Sequence, residues 1–134
     1  MSTAGLKFTE SNEWVRMEGD VAIVGITDFA QSELGDVVYV GFPDLEEDVE
    51  QGEEFGEIES NKAVSDLKSP VTGTVLEVNE ELVDFAGDEH PVNVDPYNSG
   101  WLIKIQVSNA SDLDNLMDEA EYKAFLGCEI TEEQ

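Results

Sequence analysis

The chain has 134 residues, enough for one compact domain with a real core and no need of disulfide or metal staples. Its 32 acidic residues face six lysines and arginines, giving a formal net charge of −26, and a surface this negative repels phosphate backbones and anionic lipid, so nucleic-acid and membrane-surface roles drop away. Apolar residues make up 40% of the chain, which separates it from disordered acidic tails.

So large an excess of carboxylates also resembles proteins of salt-loaded cytoplasms, where counterions screen self-repulsion. Cys128 is alone, so the simple reading is a reducing compartment. Met1 to Lys7 lacks the apolar core of a signal peptide and the arginines of a transit peptide, and no stretch approaches the roughly 20 apolar residues of a membrane span. The chain reads as cytoplasmic, or as a mature form without its targeting segment.

In chain order, β-prone runs at Glu13–Met17 and Val21–Ile26 flank Gly19-Asp20, a hairpin signal. Thr27 can cap a short helix over Asp28–Leu34 that Gly35 stops. Val37–Phe42 reads as a strand ended by Pro43. Residues 44–59 carry nine carboxylates and no cation, yet Val49, Phe55 and Ile58 are spaced to bury beneath turns at Gln51-Gly52 and Gly56. Val71–Val78 alternates as a strand entered through Pro70, and Trp101, Ile103, Ile105 and Val107 alternate more cleanly still. Ser111 and Asp114 resemble a capping box that opens a C-terminal helix over about 111–126, with Leu113, Leu116, Met117, Ala120 and Ala124 as its apolar stripe. These elements sum to a mainly β single domain, 1–134, built from a pair of small sheets with one internal and one terminal helix.

Within it, residues 57–67 read as two short strands around a turn at Asn61-Lys62, which throws Lys62 away from the core. Taken alone, a lysine at a turn is a solubilising side chain. Its context is more specific. Glu59-Ser60-Asn61-Lys62-Ala63-Val64-Ser65-Asp66-Leu67, followed by Ser69-Pro70-Val71-Thr72-Gly73 and Val75, resembles the lipoyl-attachment signature of glycine cleavage H proteins. The resemblance extends to Thr9–Val15, to Val24-Gly25-Ile26-Thr27 with Ala30 and Gly35-Asp36, and to Val92-Asn93, Asp95-Pro96-Tyr97 and Gly100-Trp101. Several motifs at the right mutual distances are more specific than any one of them. Asn12 departs from a usual histidine, Asn61 from a small apolar residue and Lys68 from an aromatic or polar one, and the loop Leu82 to Pro91 is long by a few residues.

The resemblance implies a lipoyl/biotinyl-carrier-like β-sandwich, the barrel-sandwich hybrid, with lipoate in amide linkage on Lys62. An ordinary lysine amine is protonated at neutral pH and does not acylate itself, so a lipoate ligase or octanoyltransferase has to install the group. Glu59 and Gly73 would be its recognition features. Gly73 has a competing reading, as a strand position where a side chain would collide with neighbouring backbone. Oxidised lipoyl would accept the aminomethyl group that a pyridoxal-phosphate glycine decarboxylase leaves after releasing carbon dioxide. An aminomethyltransferase would pass the methylene to tetrahydrofolate, and an FAD- and NAD-dependent dihydrolipoamide dehydrogenase would reoxidise the dithiol. Ser11, Glu13 and Asp66 are the candidates for a cleft sheltering the cationic, hydrolysable cargo, against the plain reading of each as a solvated carboxylate or turn hydroxyl. The implied protein is a monomeric, non-catalytic carrier.

An enzyme reading has little equipment, since His90 and Cys128 are the only residues of their kinds and lie far apart in sequence. His90, before Pro91 in a polar stretch, reads as a surface residue, and Cys128 as a bystander. A calcium loop through Asp112, Asp114 and Asp118 fails because Met117 stands at the glycine position. Biotin carriers typically flank the lysine with methionines, where Asn61 and Ala63 stand. A lipoyl domain of a 2-oxoacid dehydrogenase and a carrier that donates lipoyl to other proteins are the remaining alternatives.

Overall fold

The computed structural model describes residues 6–82 and 90–130, the side chains of 127–130 apart. Cys128 and most of the long loop before Pro91 therefore lie outside the described side chains. Among the described residues nine strands form two sheets. β1 (Lys7–Phe8), β2 (Glu13–Glu18) and β3 (Val21–Ile26) are followed by α1 (Asp28–Leu34), β4 (Val37–Gly41), β5 (Asp48–Val49), β6 (Glu54–Ser60), β7 (Val64–Lys68) and β8 (Gly73–Val78). α2 (Pro91–Val94), β9 (Ile103–Val107) and α3 (Glu119–Ile130) complete the order. The larger sheet runs β1-β2-β3-β9-β8-β5 and the smaller one β4-β6-β7, with every strand pairing among the described residues antiparallel.

The core lies where the sheets face each other. Val15, Val24, Ile26, Ile103 and Ile105 of the larger sheet join Val40, Ile58 and Leu67 of the smaller one, all buried. At about 25 cal/mol per Å² of apolar surface removed from water, such side chains supply most of the drive to fold. A second cluster, Leu6, Phe8, Trp14, Ile23 and Tyr122, sits on the opposite face of the larger sheet under α3. The β2–β3 hairpin turns at Gly19 (φ +66°), in register from Glu13 opposite Ile26 to Glu18 opposite Val21. Thr27 caps α1 as expected, its hydroxyl accepting from Ala30 N at 3.2 Å, and Gly35 (φ +85°) ends it by donating to Gln31 O at 3.0 Å.

Four expectations change. The C-terminal helix does not span 111–126: a short 3-10 turn covers Ala110–Asn115, and α3 begins only at Glu119. Phe8 and Met117 exchange two backbone hydrogen bonds of 2.8 Å, which hold the chain extended between the two. The reciprocal cap is made by Asp118 and Glu121, whose carboxylates accept from each other's backbone N–H at 2.8 and 2.9 Å, while Ser111 Oγ donates to Asn109. Gly56 is no turn; it lies inside β6, where a Cβ would sit 2.2 Å from Gly41 O. Trp101 precedes β9 instead of opening it. Finally, His90 is buried, and its Nδ1 accepts from Val92 N at 3.2 Å as the N-cap of α2.

Candidate functional site

β6 and β7 form the expected hairpin, paired from Glu54 opposite Lys68 to Glu59 opposite Val64, and Lys62 lies at its exposed tip. Buried Ser60 fixes the turn. Its hydroxyl accepts from Lys62 N (3.3 Å) and Ala63 N (3.1 Å), and its backbone N–H donates to Ala63 O (2.8 Å). Asn61 N donates to Asp36 O at 3.0 Å, which ties the tip to the loop between α1 and β4. That loop is held in turn by Asn93 of α2, whose amide donates to Gly35 O (2.9 Å) and accepts from Val37 N (2.8 Å). The Lys62 stem lies along the same loop, its Cε 3.1 Å from where a Cβ on Gly35 would stand. A left-handed glycine there ends α1 and leaves room for the lysine.

Beside the tip opens a cleft of about 300 Å³. Ser11, Asn12 and Glu13 wall it on one side and Ala30, Glu33 and Leu34 of α1 on another, with Ile26, Ile58 and the stretch Ala63 to Leu67 completing it. Ser11, Glu13 and Asp66 are thus brought together, but in different conditions. Glu13 is only 1% exposed, and its carboxylate accepts from Thr9 Oγ1 (2.6 Å), from Ser11 Oγ and from Lys68 N (3.2 Å). Burial pushes its pKa up, and these hydrogen bonds partly offset the push. Glu13 therefore stitches the Thr9–Ser11 loop to the end of β7 besides facing the cleft. Asp66 borders the cleft at its rim, while its carboxyl shares a hydrogen bond with that of Glu54, which raises the Glu54 pKa.

Glu59 lies half-buried between Tyr39 and Val64 on the lysine-bearing sheet. Gly73 is elsewhere, buried in β8, where a Cβ would fall 2.0 Å from Gln106 O of β9. The collision reading of Gly73 is the one its surroundings support. Sequence reasoning missed the α1 wall, Ser60 as organiser of the turn, and Asn93 as clamp. Ser60 stands inside the quoted signature and could have been suspected, but the partners of Asn93 are distant in sequence and leave no periodic signal.

A lysine held out on a braced hairpin with a cleft beside it is the arrangement that a carrier of the swinging-arm class requires. The sequence pattern of the family described as glycine cleavage H-protein matches residues 6–129. A glycine cleavage system H protein of Bacteroides fragilis is 54% identical over 121 residues, covering 89% of this chain and 92% of that one. Relatives of the same name from Anaeromyxobacter sp. (strain K) and, as mitochondrial H protein 2, from Arabidopsis thaliana are each 51% identical, covering 90% of this chain and 92% and 75% of theirs. The crystal structure of a glycine cleavage system H protein from Mycobacterium marinum superimposes with a TM-score of 0.83 at 36% identity, covering 95% of this chain and 99% of that one.

The chain belongs to the glycine cleavage H-protein family. Its two-sheet fold is the barrel-sandwich of that family, and it is a non-catalytic lipoyl carrier subunit that works with the enzymes of the glycine cleavage system. Among the described residues no helix is long and apolar enough to cross a membrane.

Proposed function

We propose that Lys62 is the lysine that carries the lipoyl group and that the cleft beside it receives the loaded end of the arm. The observation that carries this reading is contiguity: the cleft wall begins at Ala63, the residue after Lys62. The lining also suits the group. Leu34, Ile58 and Leu67 offer apolar surface to an acyl chain, and Ser11 and Ser65 offer hydroxyls to a polar end. Bound there, a lipoyl dithiolane supplies a disulfide that opens to take up a one-carbon amine and is closed again by thiol–disulfide exchange.

The chain's own residues present and shelter. Ser60 and the Asp36 carbonyl hold the turn so that Lys62 projects, and Glu59, half exposed beside it, is available to a lipoate ligase or octanoyltransferase. Gly73 acts on attachment through the fold, by letting β8 and β9 close. Glu13 and Asp66 set a negative environment at the cleft, which favours a cationic amine and holds its proton, while Ser11 holds the Glu13 carboxylate. The partners in the cycle are a pyridoxal-phosphate glycine decarboxylase, a tetrahydrofolate-dependent aminomethyltransferase and dihydrolipoamide dehydrogenase. The whole chain works as one monomeric cytoplasmic unit.

The test is glycine-dependent exchange of labelled carbon dioxide by a cognate decarboxylase, with lipoylated wild type and Lys62→Arg side by side. Stimulation by wild type alone supports the reading. Equal stimulation by Lys62→Arg would remove Lys62 from the mechanism.

A further inference from the structure

Among the described residues of α3, Tyr122 is hydrogen-bonded to the surroundings of the cleft. Tyr122 is buried, its ring stacked on Phe8 with centroids 4.6 Å apart and planes 7° from parallel. Its hydroxyl lies 2.8 Å from Asn12 Oδ1 and 2.8 Å from Thr27 Oγ1. One partner lines the cleft and the other caps a helix that does. Asn12 lines the cleft directly, in a left-handed backbone conformation (φ +73°) that asparagine tolerates better than most residues. Thr27 caps α1, the helix that supplies Ala30, Glu33 and Leu34 to the opposite side.

The proton directions follow from the donors. Tyr122 has one proton and gives it to Asn12 Oδ1, so the Thr27 hydroxyl donates to Tyr122 while accepting from Ala30 N at 3.2 Å. One polarised chain of hydrogen bonds runs from the first turn of α1 through the phenol to Asn12. A backbone bond of 3.0 Å from Thr27 N to Asn12 O runs beside it. The two walls are thus fastened twice, once by backbone and once by a residue 95 positions beyond Thr27.

We infer that Tyr122 is a positioning residue for the carrier's cleft, holding Asn12 and the N-terminus of α1 at the spacing that shelters the cargo of the arm. The inference rests on the cleft reading above. Burial pushes the phenol pKa up to about 12, so the proton that Tyr122 donates stays in place at neutral pH. The phenol touches neither the lysine nor the cargo; it acts through the walls.

The test uses full-length protein and two readouts. On unlipoylated chain, hydrogen exchange at the Thr27 and Ala30 amides should quicken about 5-fold in Tyr122→Phe, the scale of one neutral hydrogen bond. The β9 amides should not change. On lipoylated chain loaded with glycine by a decarboxylase, hydrolysis of the cargo consumes one water and releases formaldehyde and ammonium, leaving the thiol. Ammonium release should likewise quicken about 5-fold in Tyr122→Phe and in Asn12→Gly, which keeps the left-handed backbone. The double variant should be no faster than either single one. Leu126→Ala, which loosens α3 without touching the chain of hydrogen bonds, should release at the wild-type rate. Wild-type release in Tyr122→Phe, or faster release in Leu126→Ala at equal loss of Tm, overturns the positioning role and leaves the cleft reading standing. Release from native wild type as fast as from the same protein in concentrated urea overturns both.

Discussion

Ser60 and Ala63 close the lysine-bearing turn on itself: the Ser60 N–H donates to Ala63 O at 2.8 Å, and the Ser60 hydroxyl accepts the Ala63 N–H at 3.1 Å. The same hydroxyl accepts from Lys62 N, so the side chain replaces water at both amides around the tip. Ser60→Ala leaves these amides without that acceptor in a place where Ser60 itself is buried. We predict a loss of about 1 kcal/mol in urea unfolding. Lipoylation by a ligase should slow because the lysine is no longer held in one pose, as a time course of mass spectra at limiting ligase would record. Unchanged kinetics would separate the turn geometry from recognition.

Gly73→Ala should be far more damaging, although it lies away from Lys62. The added methyl would stand 2.0 Å from the Gln106 carbonyl and 2.7 Å from Ile105 Cγ2, a backbone collision that no rotamer relieves. A loss of about 3 kcal/mol is expected, in the range of overpacked cores. Lipoylation should fail in step with folding. A variant that is fully folded by near-ultraviolet circular dichroism but refused by the ligase would show direct recognition instead.

How far the sequence could be read depends on where each feature's partners lie. The β2–β3 and β6–β7 hairpins were legible because alternation and turn residues are local, and so was the cap of α1 by Thr27. Two capping patterns compete near the end, Ser111 with Asp114 and Asp118 with Glu121, and the choice falls to the pairing of Met117 with Phe8, a contact no local pattern encodes. His90 looked like a surface residue because its flanks are polar; it is buried near Leu82. One wall of the cleft could be suspected from Ser11 and Glu13. The other comes from α1 docking, and its fastening to Tyr122 is a tertiary event.

Two groups set the edges of the pH range, with opposite signs. Burial lowers the His90 pKa below its ordinary 6.5, so the neutral form belongs to the folded state. Its contribution is complete above pH 6.5 and is lost as pH falls through the folded pKa, where a proton on Nδ1 would also end the cap on Val92 N. His90→Asn keeps a capping acceptor and should flatten that part of the profile. Glu13, with its pKa raised above the ordinary 4.5, works in the other direction, its contribution complete below that pH and lost as pH rises through the folded pKa, so the variant rather than the raw curve isolates His90. At the alkaline edge Tyr122, raised from 10.0 to about 12, withdraws stability as pH climbs between those values, and Tyr122→Phe should reduce that slope to the part that Tyr97, also raised by burial, contributes. Denaturant melts at pH steps of wild type and the two variants check both edges.

The charge of −26 predicts a strong salt response. The described ion pairs are few and surface-exposed, such as Lys104 with Glu77 at 3.7 Å, so salt has little attraction to weaken and much repulsion to screen. The Debye length shrinks from about 30 Å at 0.01 M to about 3 Å at 1 M, and Tm should rise across that range. A flat or falling Tm would mean that the carboxylates are too dispersed to strain the fold.

Lys62, proposed as the lipoyl-bearing residue, sits at the exposed tip of its hairpin. Mass mapping of protein recovered from its native host tests that assignment most directly. One lipoyl group is expected, on the peptide that contains Lys62, and none on Lys62→Arg. A native protein with Lys62 unmodified, or with the group on Lys68 or Lys104, would contradict the assignment.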